Sequence, residues 1–538
     1  MDTLFDVLKL STARFPSNPL LMTTSNLAAH WALEGNVYTY REALAEVTRL
    51  KDGYKAAGFG NGHRVALLLE NRPVFFLHYL ALNALGVSIV PINPDYRSEE
   101  IKYLLDHSEA EVIISIPERL ENLDLISRTT EKNPLTVDIS NVPGQLPHPK
   151  TLALAEEPNA QTEAALLYTS GTTGRPKGCI LTNEYFFTWG EWYLTEGGLV
   201  SLKHGAERLL QPLPTFHINA IAHSFMGMLF SGGCLIILDR FHPKTWWNDA
   251  VETGATIFHY LGVMPAMLLN TPESDAERKH GMRFGLGGGV DPSLHKTFEA
   301  RFHCPLLEGW AMTETGGAGC TIASSEPRHV GTRCIGRPRE SLDIKIVDEK
   351  GADQRVGEPG ELLIRRKGAN AREGFFAGYL KNKEATEEAW TDGWFHTGDL
   401  MRQGDDRSLY FVDRKKNIIR RSGENIASAE IELVLRKNPL VQEVGVVAAP
   451  DGIRGEEVMA CISLAPGISP DKSTAEKIFD WCFDRLAYYK APGYIVFVNQ
   501  LPTTSTQKVK KGELVQIVKE MVKQPDCFDL RNKKRRQS

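Results

Sequence analysis

In 166-LLYTSGTTGRPKG-178 an apolar run ending at Thr169 enters a loop where three hydroxyl residues, Ser170, Thr172 and Thr173, lie among Gly171, Gly174 and Gly178. Backbone N–H groups opened by glycine, together with hydroxyl donors, suit a polyphosphate, and Lys177 adds a mobile cation. The common P-loop needs Gly immediately before Lys and Ser or Thr after it, whereas here Pro176 precedes Lys177 and Gly178 follows. The spacing therefore predicts a phosphate cradle that is not of the Walker type. A Gly/Ser-rich surface turn would explain a match of three or four residues, but not one of ten.

The ten residues 169-TSGTTGRPKG-178 resemble the phosphate loop of the adenylate-forming superfamily, which comprises acyl-CoA synthetases, nonribosomal adenylation domains and firefly-type luciferases. The resemblance runs from the region near Arg64 to 501-LPTTSTQKVKKGEL-514, and its texture is most similar to the crotonobetaine/carnitine-CoA ligase branch. It implies that residues 169–174 and Lys177 hold ATP. In 308-EGWAMTET-315 it implies that Thr313 touches the α-phosphate and that Glu314 holds Mg2+, a hard cation that takes few protein carboxylates beside phosphate and water. Trp310 stands where the family usually has a Tyr stacked on adenine, and Ala311 replaces the usual Gly. The run Gly287, Gly288 and Gly289 permits close backbone approach to a flat ligand, and the resemblance makes it a wall of the adenine and acyl pockets. In 393-GWFHTGDL-400, Asp399 becomes the ribose ligand, since a carboxylate can accept from two hydroxyls. Arg414, in 413-DRKK-416, supports it.

The same resemblance assigns the remaining candidates. Lys416 is the hinge, and Gly423, in 417-NIIRRSGENI-426, lines the pantetheine tunnel of coenzyme A, while Arg420 and Asn425 face either nucleotide phosphate or the small-domain interface. Lys508 is the catalytic lysine of the small domain. Gln507 precedes it where Gly is usual, and Lys510 and Lys511 are its near rivals. In 213-LPTFHINAIAH-223, His217 is the gating residue of the acyl pocket, with Asn219 and His223 on the helix that follows. If these two face the pocket, an acid of modest size or with a second polar group is favoured over a long alkyl chain. Structural roles for both histidines remain an equal alternative.

These assignments describe an AMP-forming acid-thiol ligase using ATP, Mg2+ and coenzyme A as co-substrate. A carboxylate attacks the α-phosphorus of ATP, pyrophosphate leaves, and a thiol then takes the acyl group and releases AMP. Loading of a carrier protein and luciferase-type oxygenation remain alternatives.

The elements that must position these residues are legible in the periodicity. VALLLE from Val65, a helical stretch from Arg72 to Leu85, and VSIVPIN read as strand, helix, strand. Short apolar runs recur at 111–115, 164–170, 234–239 and 256–262, separated by helix-length segments, which predicts α/β crossover units with buried parallel strands. After about Gly331, alternating patterns at 341–351, 360–366 and 408–414 predict antiparallel hairpins. Beyond Lys415 a strand, a helix over 428–439, strands at 444–450 and 458–464, and a helix from Ser473 to Leu486 predict a small α+β domain. The fold class expected is α/β: a large N-terminal domain of parallel α/β subdomains plus a β-rich subdomain, and a small mobile C-terminal α+β domain. The boundaries expected are 1–413, a hinge at 414–416, and 417–538.

At 538 residues the chain exceeds what one core usually supports, and its 42% hydrophobic and 24% charged residues match compact globular proteins. A net charge of −5 offers no chain-wide basic field for nucleic acid. The basic run 531-RNKKRRQS-538 is expected to be a solvated tail. Eight cysteines without metal-finger spacing, no signal-peptide pattern and no transmembrane-length apolar run argue for a cytoplasmic protein with reduced thiols. Its partners are expected to be small molecules; the oligomeric state is not legible, and a homodimer stays open.

Overall fold

The computed structural model describes residues 1–32, 35–169, 175–348, 350–414, 418–502 and 511–535. The chain divides into two compact units. The first is Met1–Asn93, Leu105–Leu167 and Gly178–Asp413; the second is Pro94–Leu104, Tyr168–Lys177 and Arg414–Ser538.

Two largely parallel sheets organise the first unit. One runs, edge to edge, through Gly378–Tyr379, Lys177–Thr182, Glu163–Thr169, Ser88–Pro91, Arg64–Leu68, Val112–Ser115 and Leu135–Asp138. The expected strand–helix–strand is there: Arg64–Leu68, the helix Pro73–Asn83, and Ser88–Pro91 parallel to the first strand. Pro73 occupies the first turn, where its missing N–H costs nothing, and the helix is apolar almost all round because it is buried all round.

The second sheet has the order Thr321–Ile322, Leu306–Trp310, Phe284–Gly288, Ile257–Leu261, Arg208–Gln211, Cys234–Ile237, Pro19–Met22 and Val37–Thr39. Its strands from Leu306–Trp310 to Pro19–Met22 are parallel, and the two edges are antiparallel. Their near-continuous apolar sequences are what two covered faces demand. The helix Asn183–Thr195 buries Tyr185, Phe186, Trp189, Trp192 and Tyr193, each contributing on the order of 1.5–3 kcal/mol. As the alternation after Gly331 predicts, Leu342–Val347, Gly360–Arg366, Trp394–Gln403 and Leu409–Arg414 belong to one sheet, with the first three antiparallel in turn.

In the second unit, Ile418–Arg421, Glu424–Ala427, Val441–Asp451, Gly455–Leu464, Tyr494–Phe497 and Cys527–Asp529 form a six-stranded sheet. The helices Ser428–Leu435 and Lys472–Phe483 contribute to its core.

The basic C-terminal run departs from expectation. Lys534 has a fully buried side chain, which donates to Glu457 and to the carbonyl of Tyr489. Glu457 is also paired at 2.7 Å with the buried Arg421. Arg531 pairs with Asp451 and Asp529, and Lys533 with Asp480. Asp451, Glu457 and Asp480, all distant in sequence, hold Arg531, Lys534 and Lys533, which local composition could not reveal.

Candidate active site

The parallel strands of the eight-stranded sheet end together, and the loops after Gln211, Leu261, Gly288 and Trp310 leave from that edge. Ligands of parallel α/β sheets bind at the carboxyl ends of their strands. His217, Asn219, Gly287–Gly289, Trp310, Thr313 and Glu314 all lie at or just beyond these ends.

Trp310 is the last residue of its strand, and its indole N–H donates to Oδ2 of Asp399 at 2.7 Å. Both side chains are buried. Asp399 lies on Trp394–Gln403, where its N–H donates to Thr397 Oγ1. The residues expected on adenine and on ribose are therefore bonded directly, and Trp310 orients the carboxylate.

Thr313 and Glu314 follow the strand. The Tyr185 hydroxyl donates to the Thr313 carbonyl at 2.8 Å, and the Glu314 carbonyl accepts from Phe376 N–H at 3.0 Å. The Glu314 carboxylate accepts from the Tyr379 hydroxyl at 2.8 Å. Burial, with that carboxylate beside it, pushes the Tyr379 phenol far above its usual range, so it remains a donor. Tyr379 also pairs in antiparallel register with Cys179, on the strand that follows the Gly/Ser/Thr loop. Among the described residues no group of three His, Cys, Asp or Glu side chains could enclose a metal ion. A single oriented carboxylate fits Mg2+, whose remaining ligands are phosphate oxygens and water.

The glycine run has two functions. A Cβ at Gly287 would lie 2.1 Å from the Tyr260 carbonyl oxygen, and one at Gly288 would lie 2.8 Å from the Gly309 carbonyl oxygen. Those two positions are glycine because neighbouring strands fill the space. Gly289 has φ +81 and open space above it, so close approach of a ligand is available there alone. Glu308, which the sequence reading passed over, accepts from Gly289 N–H at 3.1 Å and Val290 N–H at 3.2 Å and so fixes this turn.

Asn219 and His223 belong to a π-helical stretch, Asn219–Ser224, a wide turn often found at functional sites. Asn219 is partly exposed, and its Oδ1 accepts from His259, Ser224 and, weakly, Gln211. His223 is buried against Trp189, with ring centroids 4.4 Å apart. Burial, reinforced by His259, holds His223 well below the usual histidine range, and burial holds His259 down to about 3. His217 is half-buried beside Phe216.

In the second unit Gly423 (φ +89) and Ser422 (φ +50) form the two-residue turn between Ile418–Arg421 and Glu424–Ala427; positive φ at both positions marks the hairpin turn that matches strand twist. Arg420 and Asn425 are register partners across that hairpin. Lys511 is tied to Glu432 at 2.8 Å and to Ser428 at 2.7 Å. Thr169 ends one strand and Lys177 opens the next. Ser170, Gly171, Thr172, Thr173, Gly174, Lys416 and Lys508 lie outside the described residues, as do Lys510 and the side chains of Arg414 and Asn425.

Two family models match the chain: the AMP-binding enzyme over residues 18–380, and the AMP-binding enzyme C-terminal domain over 430–508. The chain belongs to the AMP-binding enzyme family of adenylate-forming acyl-CoA ligases. The sulfoacetate–CoA ligase of Cupriavidus necator is 29% identical over 532 residues, covering 96% of this chain and 97% of that one. The crotonobetaine/carnitine–CoA ligase of Citrobacter koseri is 30% identical over 500 residues, covering 89% and 93%. Among solved structures, the o-succinylbenzoate CoA synthetase of Bacillus subtilis shares the fold, with a TM-score of 0.80 at 24% identity over 96% of this chain and 98% of that one. The resemblance read from the motifs and the α/β fold class both hold. No described helix is long and apolar enough to cross a membrane.

Proposed function

We propose that this acyl-CoA ligase joins a small carboxylic acid to coenzyme A in two steps at one site, with Asp399 holding the ribose of ATP and Lys508 serving the first step. The observation that carries this reading is the Trp310–Asp399 bond, which joins motifs 89 residues apart.

In the first step a carboxylate oxygen of the acid attacks the α-phosphorus of ATP; the bond to the β-phosphate breaks and pyrophosphate leaves with its electrons. Positioning and charge neutralisation supply most of the rate in such transfers. Asp399 accepts from the ribose hydroxyls while Trp310 holds it in orientation. Arg414 supports it, and the hydroxyls and amides of residues 169–174 with Lys177 receive the phosphates. Tyr379 keeps Glu314 directed at the metal position. Mg2+, held by Glu314, neutralises phosphate charge when bound. Lys508 bridges the carboxylate and the α-phosphate. Its rival Lys511 is committed to Glu432 and Ser428, which favours Lys508 in this role.

In the second step the thiol of coenzyme A attacks the acyl carbon and AMP departs. Residues 414–416, with Lys416 at their centre, are the hinge that exchanges Lys508 for the turn at Gly423, beside the pantetheine. We place the domain boundary there, between 1–413 and 417–538. A cytoplasmic location fits the absence of disulfides among the eight cysteines.

The test is to incubate the enzyme with MgATP, coenzyme A and a panel of carboxylates and to quantify AMP, pyrophosphate and thioester, which should form in equal amounts and only with an acid. ADP formation, or AMP formation without acid, would overturn the reading. Acyl-adenylate that accumulates regardless of coenzyme A would assign the second step to a carrier protein instead.

A further inference from the structure

We infer that Asn219 selects a short carboxylic acid bearing an uncharged hydrogen-bond acceptor at its far end, because a buried network locks its amide oxygen inward and leaves its N–H donors unbonded on the partly exposed side, beyond the strand ends. The inference deepens the ligase reading above and rests on it.

The amide's orientation follows from a chain of donors. Leu213 N–H can only donate, so the Gln211 atom it meets at 3.0 Å is the carbonyl oxygen Oε1. Gln211 Nε2 then donates to Ser224 Oγ at 2.8 Å. Ser224 in turn gives its proton to Asn219 Oδ1 at 3.1 Å. The Tyr193 hydroxyl has no other acceptor among the described residues, so it donates to His259 Nε2 at 2.6 Å; the proton of the neutral ring then sits on Nδ1, which donates toward Ser224 Oγ at 2.7 Å and Asn219 Oδ1 at 2.9 Å, leaving the Ser224 proton for Asn219. The oxygen of Asn219 is saturated. Its Nδ2 has no partner among the described residues, and unlike the rest of the network it is not sealed from solvent. A second polar atom, His223 Nε2, is buried with no partner among the described residues.

The size limit comes from the rings behind this network. His223 lies 4.4 Å from Trp189, 4.9 Å from Trp192, 5.1 Å from Tyr193 and 4.6 Å from His259, centroid to centroid. All five side chains are buried. The helix Asn183–Thr195 and the helix Phe225–Ser231 approach so closely that a Cβ at Gly190 would meet the Phe230 ring at 2.4 Å and one at Gly227 the Tyr193 ring at 2.5 Å. At those two contacts the helices leave no room for an alkyl chain between them.

Charge narrows the class further. Among the described residues no lysine or arginine bonds to any member of the network, and both histidines are held neutral by burial. A second carboxylate placed here would be desolvated without a counter-charge. A hydroxyl or carboxamide loses far less and satisfies the waiting donor.

The test compares kcat/KM for AMP release with butanoate, 4-hydroxybutanoate, succinamate, succinate and octanoate, for the parent and for Asn219→Leu. The parent should favour 4-hydroxybutanoate or succinamate over both butanoate and succinate, with octanoate poorest. Asn219→Leu should lower kcat/KM for the favoured acid about tenfold relative to that for butanoate, mainly through KM. Damage to the fold would lower all acids together, so the ratio is the decisive quantity. Succinate, butanoate or octanoate as the best substrate of the parent overturns the inference while the ligase reading stands, as does an equal loss on every acid in the variant. No AMP release with any acid overturns the ligase reading and this inference with it.

Discussion

Trp310 donates its indole N–H to Asp399 across 2.7 Å, so one ring both closes its strand and aims the carboxylate assigned to ribose. Trp310→Phe keeps an aromatic face but removes the donor. A hydrogen bond to a charged group contributes about 1.5–3 kcal/mol, so KM for ATP should rise about tenfold or more. Asp399→Ala should raise it at least as far, and adding Trp310→Phe to that variant should change little, because the pair acts as a unit. Fully additive losses would separate the two residues.

Tyr379 has the corresponding place beside Glu314. Tyr379→Phe leaves the ring packed and removes the hydrogen bond it gives that carboxylate. The Mg2+ concentration for half-maximal activity should rise about tenfold, with Glu314→Gln more severe. A Mg2+ titration that superimposes on the parent's would remove Tyr379 from the metal site.

Lys508→Ala should abolish acid-dependent exchange of pyrophosphate into ATP while largely sparing thioester formation from supplied acyl-adenylate. Lys511→Ala should leave both chemistries catalytically competent and lower stability modestly, since Lys511 loses its Glu432 pair. Normal exchange in Lys508→Ala would refute the assignment.

Local pattern carried the parallel strands and the helix Pro73–Asn83, because each records its burial in its own run of residues. The motifs named Trp310, Glu314 and Asp399 as candidates through their residue types and spacing. Tyr379 was not legible, since its bond is to Glu314, 65 residues away, and its own run 375-FFAGYL-380 reads as ordinary aromatic packing. Glu308 opens 308-EGWAMTET-315, but nothing in that run points to the turn at Gly289 and Val290 that its carboxylate holds. The partners that orient Asn219 come from three separate elements, and no spacing encodes them. Lys534 was misjudged because a basic run shows its charge but not the carboxylate that receives it.

Acid should unfold the protein in a way His259 helps to set. Burial lowers its pKa from 6.5 to about 3, so between these values the unfolded chain holds a proton that the native state refuses. Stability is therefore full above about pH 6.5 and falls as pH drops toward 3, by up to about 1.4 kcal/mol per pH unit from this residue. His259→Gln should flatten the curve of unfolding free energy between pH 6.5 and 4.5 by about that slope. An unchanged slope would show that His259 is protonated in the native state.

Glu457 is bonded to two buried basic side chains, Arg421 and Lys534, and burial pulls the Lys534 ammonium down to about 7. Glu457→Gln leaves the Arg421 guanidinium buried without its carboxylate and should cost about 3–5 kcal/mol in the second unit. Limited proteolysis should then cut within residues 414–538 at temperatures where the parent resists. Equal resistance would show that the cluster contributes little.

Gly287 and Gly288 place a boundary on how this enzyme could be diversified. The carbonyls of Tyr260 and Gly309 already occupy the space their side chains would need, so natural drift and directed evolution alike find that wall closed to variation. A library aimed at new acids should spare the glycines and draw its diversity from Trp189, Tyr193, Asn219 and His223, where exchanging one ring or amide for another leaves the backbone in place.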